Sequence, residues 1–234
     1  MDKRQPRQPE NLPEHSEATL LALVERGLAS CISLGGAFGL LHYLDYRQTH
    51  DVDAWWAEEL STQQQNLVIE TIEASLRAFG QVTHRRWGDV VSIELAREGR
   101  KCFSFQIARR AGQLEPSTTA PWIDVPLDSL ADLVASKMTA LVERGAPRDF
   151  RDIHAICEAG LVAVERCWQL WQQRQRLAGV DVDRHRARLA ILTHLARIEQ
   201  HRPLAEIQDA RARVVAQEIR QWFRTQVIGE LGEP

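Results

Sequence analysis

The chain has 234 residues, 44% of them hydrophobic, and a formal net charge of −3, which provides for one large core or two small ones and excludes a disordered or collagen-like chain. No apolar run approaches the roughly 18 to 20 residues of a membrane span, and the opening MDKRQPRQPENLPEH has no hydrophobic stretch for export, so a soluble cytoplasmic protein with no membrane partner is expected. From Leu161 onward 12 arginines face 9 acids, so a modestly basic arm follows an acidic body, and the chain as a whole is no polybasic nucleic-acid binder.

In chain order, residues 1–15 are polar and proline-punctuated and predict a disordered tail. A helix reads from Ser16 to Arg26 and stops at Gly27. LASCISLGG is a short apolar strand entering a glycine pair, AFGLLHYL resumes helical spacing, and HDVDAWW alternates with period two. Residues 61–79 form an amphipathic helix with Ser61 as cap and Gly80 as stop. QVTHRRW, DVVSIELAR and KCFSFQIAR are extended, the last two joined by a turn at Glu98, Gly99 and Arg100. APWIDVPL reads as one more edge strand, and from Asp128 on everything is helical, over 128–144, 148–159, 161–177, 184–199 and 204–228. The expected architecture is α+β: a mixed-sheet α/β core over 16–126 with flanking helices, then a helical region over 127–234. The four cysteines lie far apart with no metal-ligand spacing, and they read as small core residues in a reducing compartment.

The stretch LGGAFGLLHYLDYRQTHDVDAWW, residues 34–56, carries the first chemical signal. Gly35 and Gly36 between a strand and a helix let backbone approach a ligand, and N–H groups there can receive phosphate; any tight strand-to-helix turn also uses such a pair. Period-two alternation puts Asp51 and Asp53 on one strand face with Cα atoms about 6.6 Å apart. At that spacing they repel by about 2 to 3 kcal/mol with an effective dielectric near 20. A buried pair therefore wants a cation, and Mg2+, with phosphates completing its shell, meets that need; a solvated surface pair would tolerate the repulsion, although the flanking Trp55 and Trp56 disfavour full exposure.

A second signal lies in LDSLADLVASKMTALVERG. At 100° per residue Lys137 falls on the apolar stripe with Leu130, Leu133, Val134 and Leu141, while Asp128, Asp132, Ser136 and Glu143 take the opposite side. An ammonium there needs an anionic partner, unless it snorkels at the helix edge. Only Lys3, Lys101 and Lys137 are lysines among 29 basic residues, so a compact point charge is retained at 137 in an arginine-favouring chain. In PRDFRDIHAI, Asp149 occupies the first turn, where the helix dipole favours an acid, and Asp152 follows one turn on, with Lys137 or Arg144 as its partner.

These residues resemble the nucleotidyltransferase AbiEii/AbiGii toxin family, within the DNA polymerase β-like nucleotidyltransferase superfamily. The glycine pair and the R-x-[ST]-x-D-x-D segment are matched by Gly35, Gly36, Arg47, Thr49, Asp51 and Asp53, and a later K…R…[RK]D-x-x-D pattern by Lys137, Arg144, Arg148, Asp149 and Asp152. The resemblance implies a mixed-sheet nucleotidyltransferase fold and Mg2+ on Asp51 and Asp53. It implies nucleotide contacts from Gly35, Gly36, Arg47, Thr49 and Arg144, with Lys137 and Asp152 completing the catalytic set. The implied reaction passes a nucleotide from a nucleoside triphosphate to an acceptor hydroxyl, on tRNA or another RNA, and the implied partner is an antitoxin. One departure stands out: where the superfamily often places a third acid on a later strand, KCFSFQIAR offers Ser104 or Gln106, and Glu94 belongs to a neighbouring strand.

Two other classes remain compatible, a catalytically degenerate nucleotide-binding protein and a protein-interaction module docking through the helices after 161. Arg184, Arg186, Arg188, Arg211 and Arg213 suit either an RNA backbone or a solvated helix face. Trp168, Trp171 and Trp222 read as core anchors, and His42, His50 and His154 as hydrogen-bonded histidines without metal-ligand spacing.

Overall fold

Alternation of apolar and polar side chains builds a seven-stranded sheet in the order β3-β4-β5-β2-β1-β7-β6. The strands are β1 (Ile32–Gly35), β2 (Asp51–Trp56), β3 (Gln81–Trp87), β4 (Val90–Arg97), β5 (Arg100–Ala108), β6 (Thr118–Thr119) and β7 (Pro126–Leu127). The structure is a computed structural model describing residues 5–110, 112–180 and 182–229. Residues 1–4 of the expected tail, 230–234 of the expected helical region, and 111 and 181 lie outside the described residues. The sheet is mixed: β2 runs parallel to β5 and antiparallel to β1, while β1 runs parallel to β7.

The pairing register sorts side chains onto two faces. One carries Leu34, Val52, Ala54, Ile93, Phe103, Phe105 and Ile107, all buried. Helix α1 (Glu14–Glu25) packs there, with His15 edge-on to Phe103 at 4.4 Å between ring centroids. Its neighbour α3 (Thr62–Arg77) buries Val68, Ile72 and Leu76. Helix α1 ends in a Schellman arrangement, Gly27 at φ +68 and the Leu28 N–H bonded to the Leu23 carbonyl at 2.8 Å. The start of α3 is fixed by a reciprocal Ser61–Gln64 capping box. Between them, α2 (Gly36–Leu41) continues directly from β1.

Two expectations for this part of the chain are corrected. Of the strand expected over 120–127, residues 120–125 form a turn after β6 and Pro126–Leu127 are β7 itself: Asp124 takes φ +53 and the Ala120 carbonyl accepts the Ile123 and Asp124 N–H groups. Residues 5–13, read as disordered, are tied down, the Arg7 N–H to the His42 carbonyl at 2.8 Å and the Arg7 guanidinium to Asp45 at 3.1 Å.

The chain divides into two units, Met1–Leu133 and Val134–Pro234. The boundary lies a few residues beyond the expected Pro126, inside α4 (Leu130–Glu143), because β7 belongs to the sheet. The second unit continues with α5 (Pro147–Glu158), α6 (Val164–Leu177), α7 (Arg184–His201) and α8 (Ala210–Trp222). Its core gathers Phe150, Trp168, Trp171, Ile191, Leu195 and Phe223, with Phe150 edge-on to Phe223 at 4.6 Å. The single helix expected over 204–228 is three pieces: a 3-10 turn at Leu204–Glu206, then α8 capped by Asp209, which accepts the Ala212 N–H at 2.7 Å, then a π-helical turn at Phe223–Ile228. Among the described residues no helix is long and apolar enough to cross a membrane.

Candidate active site

The polar face of the sheet carries the carboxylate pair. Along β2, Val52, Ala54 and Trp56 are buried while Asp51, Asp53 and Trp55 are half-buried, so Asp51 and Asp53 project to the same side. Thr49 braces Asp51 through its main chain, its hydroxyl donating to the Asp51 carbonyl at 3.2 Å and accepting the Asp51 N–H at 3.4 Å. The Arg47 guanidinium lies 5.6 Å from the Tyr46 ring centre and donates to the Gln48 carbonyl at 3.1 Å.

The glycine pair has a steric cause that its sequence did not show. In the β1–β2 register Gly35 lies opposite Asp53. A Cβ built on Gly35 would lie 2.5 Å from Trp55 Nε1; one on Gly36, which takes φ +58, would lie 2.0 Å from Asp53 Oδ2. The turn therefore approaches the carboxylate and the indole too closely for any side chain, and Gly36 also holds a conformation that favours glycine.

On the other side of β2, the parallel register sets Ser104 opposite Asp51 and Gln106 opposite Asp53. Ser104 is fully buried and its hydroxyl donates to Asp51 Oδ1 at 2.5 Å. The positions named as candidates for a third acid thus adjoin the carboxylates, with a hydroxyl and an amide instead. Glu94 lies opposite Ser104 on β4, one strand further away, and accepts from Lys101 at 3.2 Å. Among the described residues no group of three or more histidine, cysteine, aspartate or glutamate side chains is placed to hold a metal ion. The donor set at Asp51 and Asp53 is two carboxylates, and oxygen ligands from one or two carboxylates, with substrate phosphates and water, are what Mg2+ takes.

In the second unit Lys137 is buried, and its ammonium meets Asp152 Oδ2 at 2.6 Å, with Asp152 itself fully buried. Arg144 engages Asp149, Nε and Nη2 donating to its two oxygens at 2.9 and 2.8 Å, while the Ala146 N–H adds a third bond to Asp149 at 3.0 Å. Asp149 thus holds the start of α5, and the neighbouring Arg148 is exposed. Of the arginines considered for RNA, Arg184 pairs with Glu165 and lies 5.0 Å from the Trp168 ring centre, and Arg213 donates to the Ile207 carbonyl at 3.0 and 2.8 Å.

Asp128 and Asp132, read as lying opposite the apolar stripe, are both buried. Asp128 Oδ1 accepts from Ser33 and from Arg110, each at 2.8 Å. Asp132 accepts the Leu114 and Glu115 N–H groups at 2.8 and 3.1 Å and the Ser129 hydroxyl at 2.8 Å. Ser33 shares the polar face, opposite Trp55, so this network ties the segment after β5 beside the glycine turn. The S-x-x-D spacing of Ser129 and Asp132, a form of capping box, was the signal for the second of these acids.

A family profile described as "Nucleotidyl transferase AbiEii toxin, Type IV TA system" matches residues 18–227. Among solved structures, the chain is similar to an antigenic nucleotidyltransferase-like protein from Paracoccidioides brasiliensis. The two are 16% identical with a TM-score of 0.40, over 86% of this chain and 92% of that one. No curated protein matches the chain.

Proposed function

The chain belongs to the AbiEii nucleotidyltransferase toxin family of type IV toxin–antitoxin systems, and we propose that it transfers a nucleotide from a nucleoside triphosphate to an acceptor hydroxyl on RNA, with Asp51 and Asp53 holding Mg2+. The observation that carries this reading is the half-buried Asp51–Asp53 pair, projecting from one strand face against the Gly35–Gly36 turn. Two like charges held so close favour a divalent cation. When bound, Mg2+ offsets the triphosphate charge.

The protein's own contribution is binding and positioning. Gly35 and Gly36 bring bare backbone to the triphosphate, and Arg47 and Thr49 flank it. The family resemblance assigns phosphate contacts also to Lys137, whose ammonium meets Asp152, and to Arg144, which Asp149 orients. The acceptor hydroxyl gives up its proton to solvent and its oxygen bonds to the α-phosphorus as the bond from that phosphorus to the bridging oxygen breaks, and pyrophosphate departs with that electron pair. Support for RNA, and tRNA within it, comes from the family resemblance together with the arginine excess after Leu161. The toxin assignment implies a cognate antitoxin, and the cytoplasm is the compartment that supplies nucleotide and tRNA together. The test is incubation with α-labelled nucleoside triphosphates, tRNA and Mg2+: label enters the RNA, and chelation of the metal stops it.

The hydroxyl and amide at Ser104 and Gln106 favour one second reading, a protein that binds nucleotide without turning it over. It predicts thermal stabilisation by triphosphate with Mg2+ and no incorporated label.

A further inference from the structure

The pairing of β2 with β5 sets a hydroxyl against one of the two carboxylates. We infer that Ser104 is a positioning residue for the divalent cation: its hydroxyl fixes the Asp51 carboxylate so that the second oxygen, Oδ2, is presented to the metal. The inference deepens the proposed function and rests on its metal site.

Four observations carry it. Asp51 and Ser104 are direct neighbours in the parallel register, on the polar face of the sheet. The hydroxyl-to-Oδ1 separation of 2.5 Å lies at the short end of charge-assisted O–H···O− bonds. Ser104 is fully buried whereas Asp51 is half-buried, so the serine is built into the sheet and the carboxylate reaches from it toward solvent. Thr49 holds the Asp51 main chain at both its N–H and its carbonyl. With the backbone braced at two points and Oδ1 held at a third, the plane of the carboxylate is set before any cation arrives.

This matters because the site is short of charge. With only two carboxylates in the donor set, affinity depends strongly on how little the ligands must reorganise on binding. A hydroxyl at 104 supplies orientation without adding a third negative charge beside Asp51. Gln106 stands in the matching register position beside Asp53, and its longer, more flexible amide has no part in the role assigned to Ser104.

The experiment is a titration of the full-length protein with Mn2+ alone, read by electron paramagnetic resonance of the free ion, for wild type, Ser104→Ala, Ser104→Thr and Asp51→Asn, with a thermal melt of each. Removal of an outer partner of a metal ligand costs on the order of 10- to 100-fold in affinity, so Ser104→Ala is expected to weaken Mn2+ by at least about tenfold, while Ser104→Thr, which keeps the hydroxyl, stays near wild type. Should alanine at this buried position unfold the protein, Ser104→Cys, similar in size but a poor donor, is measured in its place with the same expected loss. Mn2+ affinity unchanged in Ser104→Ala or Ser104→Cys, alongside a weakened Asp51→Asn, overturns the role of the serine and leaves the metal site standing. Equal binding by wild type and Asp51→Asn, or none by wild type, overturns the metal site and this inference with it.

Discussion

A Cβ on Gly36 would lie 2.0 Å from Oδ2 of Asp53, so the turn after β1 and the second carboxylate of β2 fit together only if residue 36 has no side chain. Gly36→Ala must push Asp53 aside as well as adopt φ +58, a conformation that costs a non-glycine residue about 1 to 3 kcal/mol. Gly160 provides the comparison, since it takes φ +64 and a Cβ there would meet nothing within 4 Å. Gly160→Ala should therefore show the backbone cost alone. Gly36→Ala should lose more stability in urea and lose nucleotide transfer as well, while Gly160→Ala keeps its activity.

The buried pair of Lys137 and Asp152, 2.6 Å apart, separates structural from chemical roles. Lys137→Met removes the ammonium that meets the fully buried Asp152 carboxylate and is expected to destabilise by up to roughly 3 to 5 kcal/mol. Lys137→Met combined with Asp152→Leu removes both charges and should recover most of that loss in urea denaturation. The double variant is expected to remain inactive if Lys137 has the phosphate contact proposed for it; recovery of transfer along with stability would make the pair purely structural.

His42 predicts the acid limb of stability. The Trp122 indole N–H, which can only donate, bonds to His42 Nε2 at 3.1 Å, so Nε2 is the acceptor and the proton sits on Nδ1, facing the Phe38 carbonyl at 3.1 Å. Burial depresses the His42 pKa, against the smaller opposing effects of backbone bonds to Phe38 and Gly39 and of the Asp45 charge. Burial likewise lowers His15 and His154. A base whose folded value lies below its unfolded value of about 6.5 contributes stability above that pH and loses it as pH falls toward the folded value. Urea stability should hold near pH 7.5 and decline below about 6.5, and His42→Gln should flatten part of that slope while His15 and His154 keep the remainder.

Buried and exposed charges should behave differently on mutation. Asp132→Ala would remove a buried carboxylate that accepts the N–H groups of half-buried Leu114 and exposed Glu115, at a cost of about 1 to 3 kcal/mol in all. Faster proteolysis across residues 112–117 is expected to accompany it. Arg224 makes two 2.6 Å bonds to Glu199 but is 43% exposed, so Arg224→Ala should cost under about 1 kcal/mol. Thermal melts of the two variants compare them directly.

What the sequence revealed was local periodicity and local capping. The alternation around Asp51 and Asp53 gave the strand and the shared face, Ser61 gave the start of α3, and the helical wheel placed Lys137 on the buried side of α4. Pairings between distant segments were not legible. The neighbour of Asp51 lies 53 positions away on β5, and no periodicity announces which strand will run parallel to β2. The glycine pair was read as space for a ligand, whereas its immediate steric need is set by Asp53 and Trp55, visible only in the β1–β2 register. Wheel geometry alone assigned Asp132 to the far side of its helix, although that side is covered by the segment at 114–115 and its carboxylate serves main-chain N–H groups there. The residues around Asp209 continue a helical pattern that hides its role as a cap, where the chain breaks into separate turns.

In the proposed reaction Asp51 and Asp53 together carry metal-dependent nucleotide transfer. Replacement of either by asparagine keeps the side-chain shape that the Gly36 turn packs against and removes the charge. With wild-type protein, Mg2+ and tRNA, label from at least one α-labelled nucleoside triphosphate is expected in the RNA, and Asp51→Asn and Asp53→Asn, each with a wild-type melting curve, are expected to transfer none. Undiminished transfer by either folded variant, or no transfer by wild type from any of the common triphosphates, would show that the carboxylate pair does not carry this reaction.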